Sequence, residues 1–183
     1  MEQNNNQSNQ AFKKDDAFQA LAIINTWIGN IDTKISFALA LAGILIGMIF
    51  SNGIPSAFKK VSEVAKLAEL NDCEILAVAT VGLLYISSFI SILLFMFAII
   101  ARVKNPNNVE SLFFFGSISK MGLDDYRGKL NGLTEKELVN DIEEQIHINS
   151  QICNQKAVWY NRGIKVFMVT IVLWFVCMSF GLI

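Results

Sequence analysis

Six residues in the second half of this 183-residue chain could do recognition chemistry: Arg102, Lys104, Lys120, Tyr126, Arg127 and Lys156. The run Phe113-Phe114-Phe115-Gly116 lies between them. Cations hold a phosphate through charge-assisted hydrogen bonds, and an aromatic face stacks a base. Phe115 and Gly116 complete a candidate ligand set with those six. The same cations also suit attraction to anionic lipid, and sequence physics alone favours that second reading.

Other chemistry finds little support. His147 is the single histidine and has no second ligand at metal-binding spacing. Gly128-Lys129 lacks the glycine spacing and the Ser or Thr of a phosphate loop. Glu143 and Glu144 are adjacent on a predicted helix, so their carboxylates diverge. Cys73, Cys153 and Cys177 fall on different sides of the predicted topology and cannot pair within one chain. No nucleophile–base arrangement is visible, so no enzyme activity, metal or cofactor is expected, nor a nucleic-acid partner.

The elements that must position these residues are helices, three of them in lipid. Residues Ile35–Phe50, extendable to Ile54, form an uncharged apolar run, and so do Ile75–Ala101. A third run, Ile164–Ile183, holds only Lys165, which can snorkel from the first turn of its span. A bilayer core needs about 20 apolar helical residues. None of the runs keeps the polar face of a soluble amphipathic helix. The expectation is an all-α integral membrane protein with three transmembrane helices, at 35–54, 75–101 and 163–183.

The remainder divides around those spans. Residues 1–16 read as a disordered polar tail with no secretory signal. In 17–34, Phe18, Leu21, Ile24, Ile28 and Ile31 recur at helical spacing and lead without a break into the first span. Trp27 is expected to pack inside a cytoplasmic bundle. Residues 55–74 open with Pro55 and read as an external amphipathic helix or a plain connector. Residues 102–162 are read as the sensor, and the three phenylalanines there must be buried somewhere. Thr134 and Glu137 form a capping box. The helix they start could run through the last span, roughly 70 Å at 1.5 Å per residue.

Twelve of the fifteen basic residues lie on one side if the N-terminus is cytoplasmic. The positive-inside rule therefore places the N-terminus and residues 102–162 in the cytoplasm, and the C-terminus near the outer face. Within the spans, Gly43 and Gly47 make a GxxxG inside a stripe of Ser36, Ala40 and Ser51. Ser87 and Ser91 are further packing candidates. These could join helices within one chain or between copies in a homo-oligomer. Asp32 and Lys34 stand at the hinge between bundle and bilayer, where an interfacial ion pair, with each other's neighbours or with Arg102 or Arg162, is expected rather than direct ligand contact. No acid is buried in a span, which argues against a transporter.

Trp27, Asp32-Thr33-Lys34, Phe114-Phe115-Gly116-Ser117-Ile118 with Tyr126, and Asp141 through Lys156 with Gln145-Ile146 form an ordered set. Over residues 18–183 this set resembles the membrane-spanning effectors of Pycsar, a bacterial pyrimidine cyclase system for antiphage resistance. The family motif has a small residue after the Lys, where this chain has Ile35. The resemblance implies a partner cyclase that makes a cyclic pyrimidine nucleotide, cCMP or cUMP. It further implies a multi-pass protein of the bacterial inner membrane that binds the nucleotide, impairs the membrane and causes abortive infection. The competing reading is a membrane-anchored adaptor without a pore, holding a cytoplasmic partner.

Overall fold

The computed structural model describes residues 12–51, 53–63, 70–101 and 111–183. Six helices are described: α1 Lys14–Phe50, α2 Ser56–Glu63, α3 Asp72–Ile100, α4 Phe115–Ile118, α5 Leu123–Asn131 and α6 Glu135–Ser179. No strand occurs among the described residues. Helices α1, α3 and α6 are each long and apolar enough to cross a membrane.

Helix α1 starts at Lys14 rather than at Ala17, where the expected cytoplasmic helix begins. The cause is polar: the Lys13 N–H donates to the Asp16 carboxylate at 3.0 Å, and Asp15 and Asp16 lie in a first turn that favours negative charge. At α3, the Asn71 side chain accepts from the Glu74 N–H at 2.9 Å and Glu74 accepts from the Asn71 N–H at 3.1 Å. At α6, Thr134 and Glu137 do the same. Nothing then interrupts the 45 residues of α6.

The chain divides into two compact units. One comprises residues 1–29 and 102–154, the other 30–101 and 155–183. Both α1 and α6 therefore contribute to each unit. In the second unit, Ile35, Leu84, Phe95 and Cys177 are core residues, with Trp159, Tyr160 and Trp174 packed against them. The Phe95 ring meets Phe167 edge-on at 6.1 Å and Tyr160 at 6.4 Å. The approach needs a glycine. A Cβ on Gly163 would stand 2.7 Å from the Phe95 ring. Pro55 precedes α2 and gives its carbonyl to the N–H groups of Phe58 and Lys59. Ala57 is buried and Phe58 packs edge-on against Tyr85, so α2 sits on the bundle. The turn expected at Asn105-Pro106, and part of the amphipathic segment 55–74, lie outside the described residues.

Candidate functional site

In the first unit, a short segment is tied down by one carboxylate. The Leu112 N–H donates to Asp141 Oδ2 on α6 at 2.8 Å, and the Tyr126 hydroxyl on α5 meets the Leu112 carbonyl at 3.4 Å. Phe113 packs edge-on against Phe18 of α1, with ring centroids 6.1 Å apart. Asn149 donates to Asn25 at 2.9 Å, joining α6 to α1. These contacts hold residues 111–126 in place.

The candidate ligand residues fall in several places. Phe115, Gly116, Lys120, Tyr126 and Arg127 share the first unit. Contrary to the expectation of burial, Phe114 is 41% and Phe115 73% exposed. Phe113 alone finds the Phe18 ring; Phe114 and Phe115 face out, 4.7 Å apart by centroid. Gly116 lets them do so, because a Cβ there would lie 2.5 Å from the Phe114 ring. Lys120 is exposed, and Arg127 lies 3.9 Å from Asp124 one turn back. Arg102 and Lys104 lie outside the described residues. Trp27 is also largely exposed rather than packed, since Ile24 and Ile28 take the inner face of α1.

Lys156 belongs to the second unit, where it supplies a cation for Asp32. Arg102 lies outside the described residues. The Asp32 carboxylate accepts from Lys156 Nζ at 2.6 Å, and the same nitrogen donates to the Ile99 carbonyl at 3.0 Å. The Lys156 side chain is 8% exposed, that of Asp32 45%. One ammonium thus joins α1, the C-terminal end of α3 and α6, where a cation is favoured by the helix dipole. Arg162 instead lies over the Trp159 ring at 5.1 Å, and Lys34 is exposed.

Deeper in the apolar part, Thr170 Oγ1 lies 3.0 Å from Ser87 Oγ and 3.4 Å from Ser91 Oγ. Ser91 also donates to the Ser87 carbonyl and Ser88 to the Leu84 carbonyl. This hydroxyl seam joins α3 to α6. Gly43 and Gly47 do not pack in this chain: both are exposed, and a Cβ on either meets nothing within 4 Å. Sequence reasoning missed Asp141 and Thr170 as tethers. Asp141 leaves a faint signal, an acid beside the stripe residue Ile142, while Thr170 looks like any apolar-span threonine.

Among the described residues, two carboxyls outside the spans are shifted. The Glu137 carboxyl is held below its ordinary value by the Thr134 backbone N–H and then by the Thr134 hydroxyl. Glu74 is lowered by the Asn71 backbone N–H and then by Lys60. Among the described residues no group of three or more His, Cys, Asp or Glu could hold a metal ion. His147 meets the Gln151 side chain at 2.8 Å.

Three apolar helices, two of them running on into a polar helical unit, define a multi-pass membrane protein with a non-membrane portion. The family model for the Pycsar effector protein domain matches residues 16–183, so the chain belongs to the Pycsar effector family and is an effector of antiphage defence. It is 36% identical over 165 residues to the Pycsar effector protein GmPycTM of Gulbenkiania mobilis, covering 83% of this chain and 84% of that protein. It is 22% identical over 169 residues to PtPycTM of Propioniciclava tarda, covering 88% of this chain and 76% of the relative. No solved structure matches it.

Proposed function

We propose that this effector binds a cyclic pyrimidine nucleotide, cCMP or cUMP, made by a partner cyclase, and then impairs the bacterial inner membrane. The observation that carries the reading is family membership over residues 16–183. The structure supports it in three ways. Phe115 offers an open aromatic face, and Lys120 and Arg127 are exposed cations in the same unit. Helices α1 and α6 run unbroken from that unit into apolar spans, so a ligand that shifts them has a stiff path to the bilayer. Within the second unit, Lys156, Asp32 and the Ile99 carbonyl tie α1, α3 and α6 together, so a shift of α1 or α6 acts on all three helices.

The N-terminus and residues 102–162 face the cytoplasm, by the distribution of basic residues. Copies associate through the outward small-residue stripe of α1, and the assembled spans leak. The test is dye release from liposomes holding the purified protein. Release on adding cCMP or cUMP is expected, with none for purine cyclic nucleotides. No release with either pyrimidine ligand at saturation overturns the reading.

A further inference from the structure

At the opposite end of α6 from Thr134, two cavities share a wall. One, of about 390 Å³, is lined by polar groups of Ser56, Lys60, Asn71 and Glu74. The other, of about 370 Å³, is lined by Leu76, Thr80, Val176 and Phe180. Cys73, Ala77, Phe180 and Leu182 border both, so the two form one trough, polar at one end and apolar at the other. The trough is built, not incidental. The Ser56 hydroxyl lies 3.0 Å from the Gly181 and Leu182 carbonyls, pinning the chain after α6 beside α2. Gly181 makes that turn at φ +62°, a conformation glycine adopts without strain.

Water is a poor occupant for the apolar half, which lies where α3 and α6 enter their spans. Leu76 and Phe180, 68% and 76% exposed, offer hydrocarbon to whatever fills it. The polar half presents one cation and one anion side by side: Lys60 Nζ is 3.3 Å from Glu74 Oε1. Neither charge is enclosed. A zwitterionic headgroup laid antiparallel to that pair satisfies both, with phosphate on Lys60 and ammonium on Glu74. A choline headgroup has no N–H to give Glu74, and a glycerol headgroup has no cation.

We propose that this trough binds one phosphoethanolamine lipid, its acyl chain along Leu76, Thr80 and Phe180 and its headgroup on Lys60 and Glu74. The site is independent of the nucleotide reading. It ties the effector to the composition of the membrane it enters.

Cys73 borders both halves and is an exposed free thiol, so it reports occupancy. The full chain is placed in vesicles of phosphatidylethanolamine with phosphatidylglycerol, or of phosphatidylcholine with the same phosphatidylglycerol fraction. Alkylation of each cysteine by a polar maleimide is followed by mass spectrometry. Cys73 should react several-fold more slowly in the ethanolamine vesicles, while Cys153 reacts equally in both. Lys60→Gln should abolish the difference at Cys73, and it leaves the Asn71 capping box whole. Thr80→Phe, which fills the chain groove, should slow Cys73 alike in both vesicles. Equal Cys73 rates for the unmodified protein, or a difference that survives Lys60→Gln, overturns the proposal.

Discussion

Lys156 holds its charge in a nearly closed site, whereas its partner Asp32 is almost half open. The two ends of this ion pair should therefore respond unequally to mutation. Asp32→Ala leaves a buried ammonium with the Ile99 carbonyl as its one remaining acceptor among the described residues, and removing one partner of a buried pair is costly. We expect a loss of about 2–4 kcal/mol, reduced from the fully buried case because one acceptor remains. Lys156→Met removes the buried charge itself and leaves Asp32 access to water. That change should cost less than about 1 kcal/mol. Chemical unfolding of both variants in detergent checks the order. Equal losses would mean that water reaches Lys156. The charges were legible in the sequence, but their partnership was not. Asp32 and Lys156 lie far apart along the chain, and positive residues at Arg102 and Arg162 were equally good candidates by charge alone. Which cation wins depends on helix rotation, which no spacing rule fixes.

Helices were the most readable elements. The Thr134–Glu137 box and an unbroken run of compatible residues are enough to start α6 and carry it to Ser179. The box also predicts a pH response. Glu137 has a folded pKa below its unfolded value, with the Thr134 N–H as the main cause. Its contribution is complete above the unfolded carboxylate value of about 4.3. It is lost as pH falls through the lower folded value. Hydrogen-exchange protection in the first turn of α6 should fall in that acid window; Glu137→Gln should remove the pH dependence, whereas Thr134→Val, which keeps the backbone N–H, should only reduce it. Two features of the helices were not readable. Gly163 passes for a tolerable helical glycine until Phe95 is seen against it. Gly163→Val must push a core ring that has no space to move, so we expect a loss of about 1–3 kcal/mol by thermal unfolding. Thr170 is likewise an ordinary span residue until Ser87 and Ser91 stand opposite. Thr170→Val should cost about 0.6–1.7 kcal/mol, the range for hydroxyl contacts between membrane helices. The phenylalanine run was misread because sequence gives hydrophobicity, not coverage: a local turn at Gly116 turns Phe114 and Phe115 outward.

Across the molecule, the chain covers little of its own apolar surface. Within the most apolar windows of α1, α3 and α6, only 28%, 28% and 22% of residues are buried, so lipid or other copies must cover the rest. Lipid alone gives no reason for small residues in one line. Gly43 and Gly47 face outward on α1 and, among the described residues, have no neighbour within 4 Å of a Cβ. Both glycines also weaken the helix, by about 1 kcal/mol each against alanine. Close approach of a second backbone would offset that cost, because membrane helices associate by packing rather than by expelling water. The double variant Gly43→Leu/Gly47→Leu separates the two possibilities. Within one chain a Cβ at either position meets nothing within 4 Å among the described residues, and helix propensity rises, so the midpoint of thermal unfolding should hold or increase. Between copies they would block contact. Cross-linking in vesicles should then shift toward monomer, and cCMP- or cUMP-triggered dye release should fall by at least tenfold. If the variant still cross-links and still leaks, the glycine face meets only lipid, and association must use another surface of the spans.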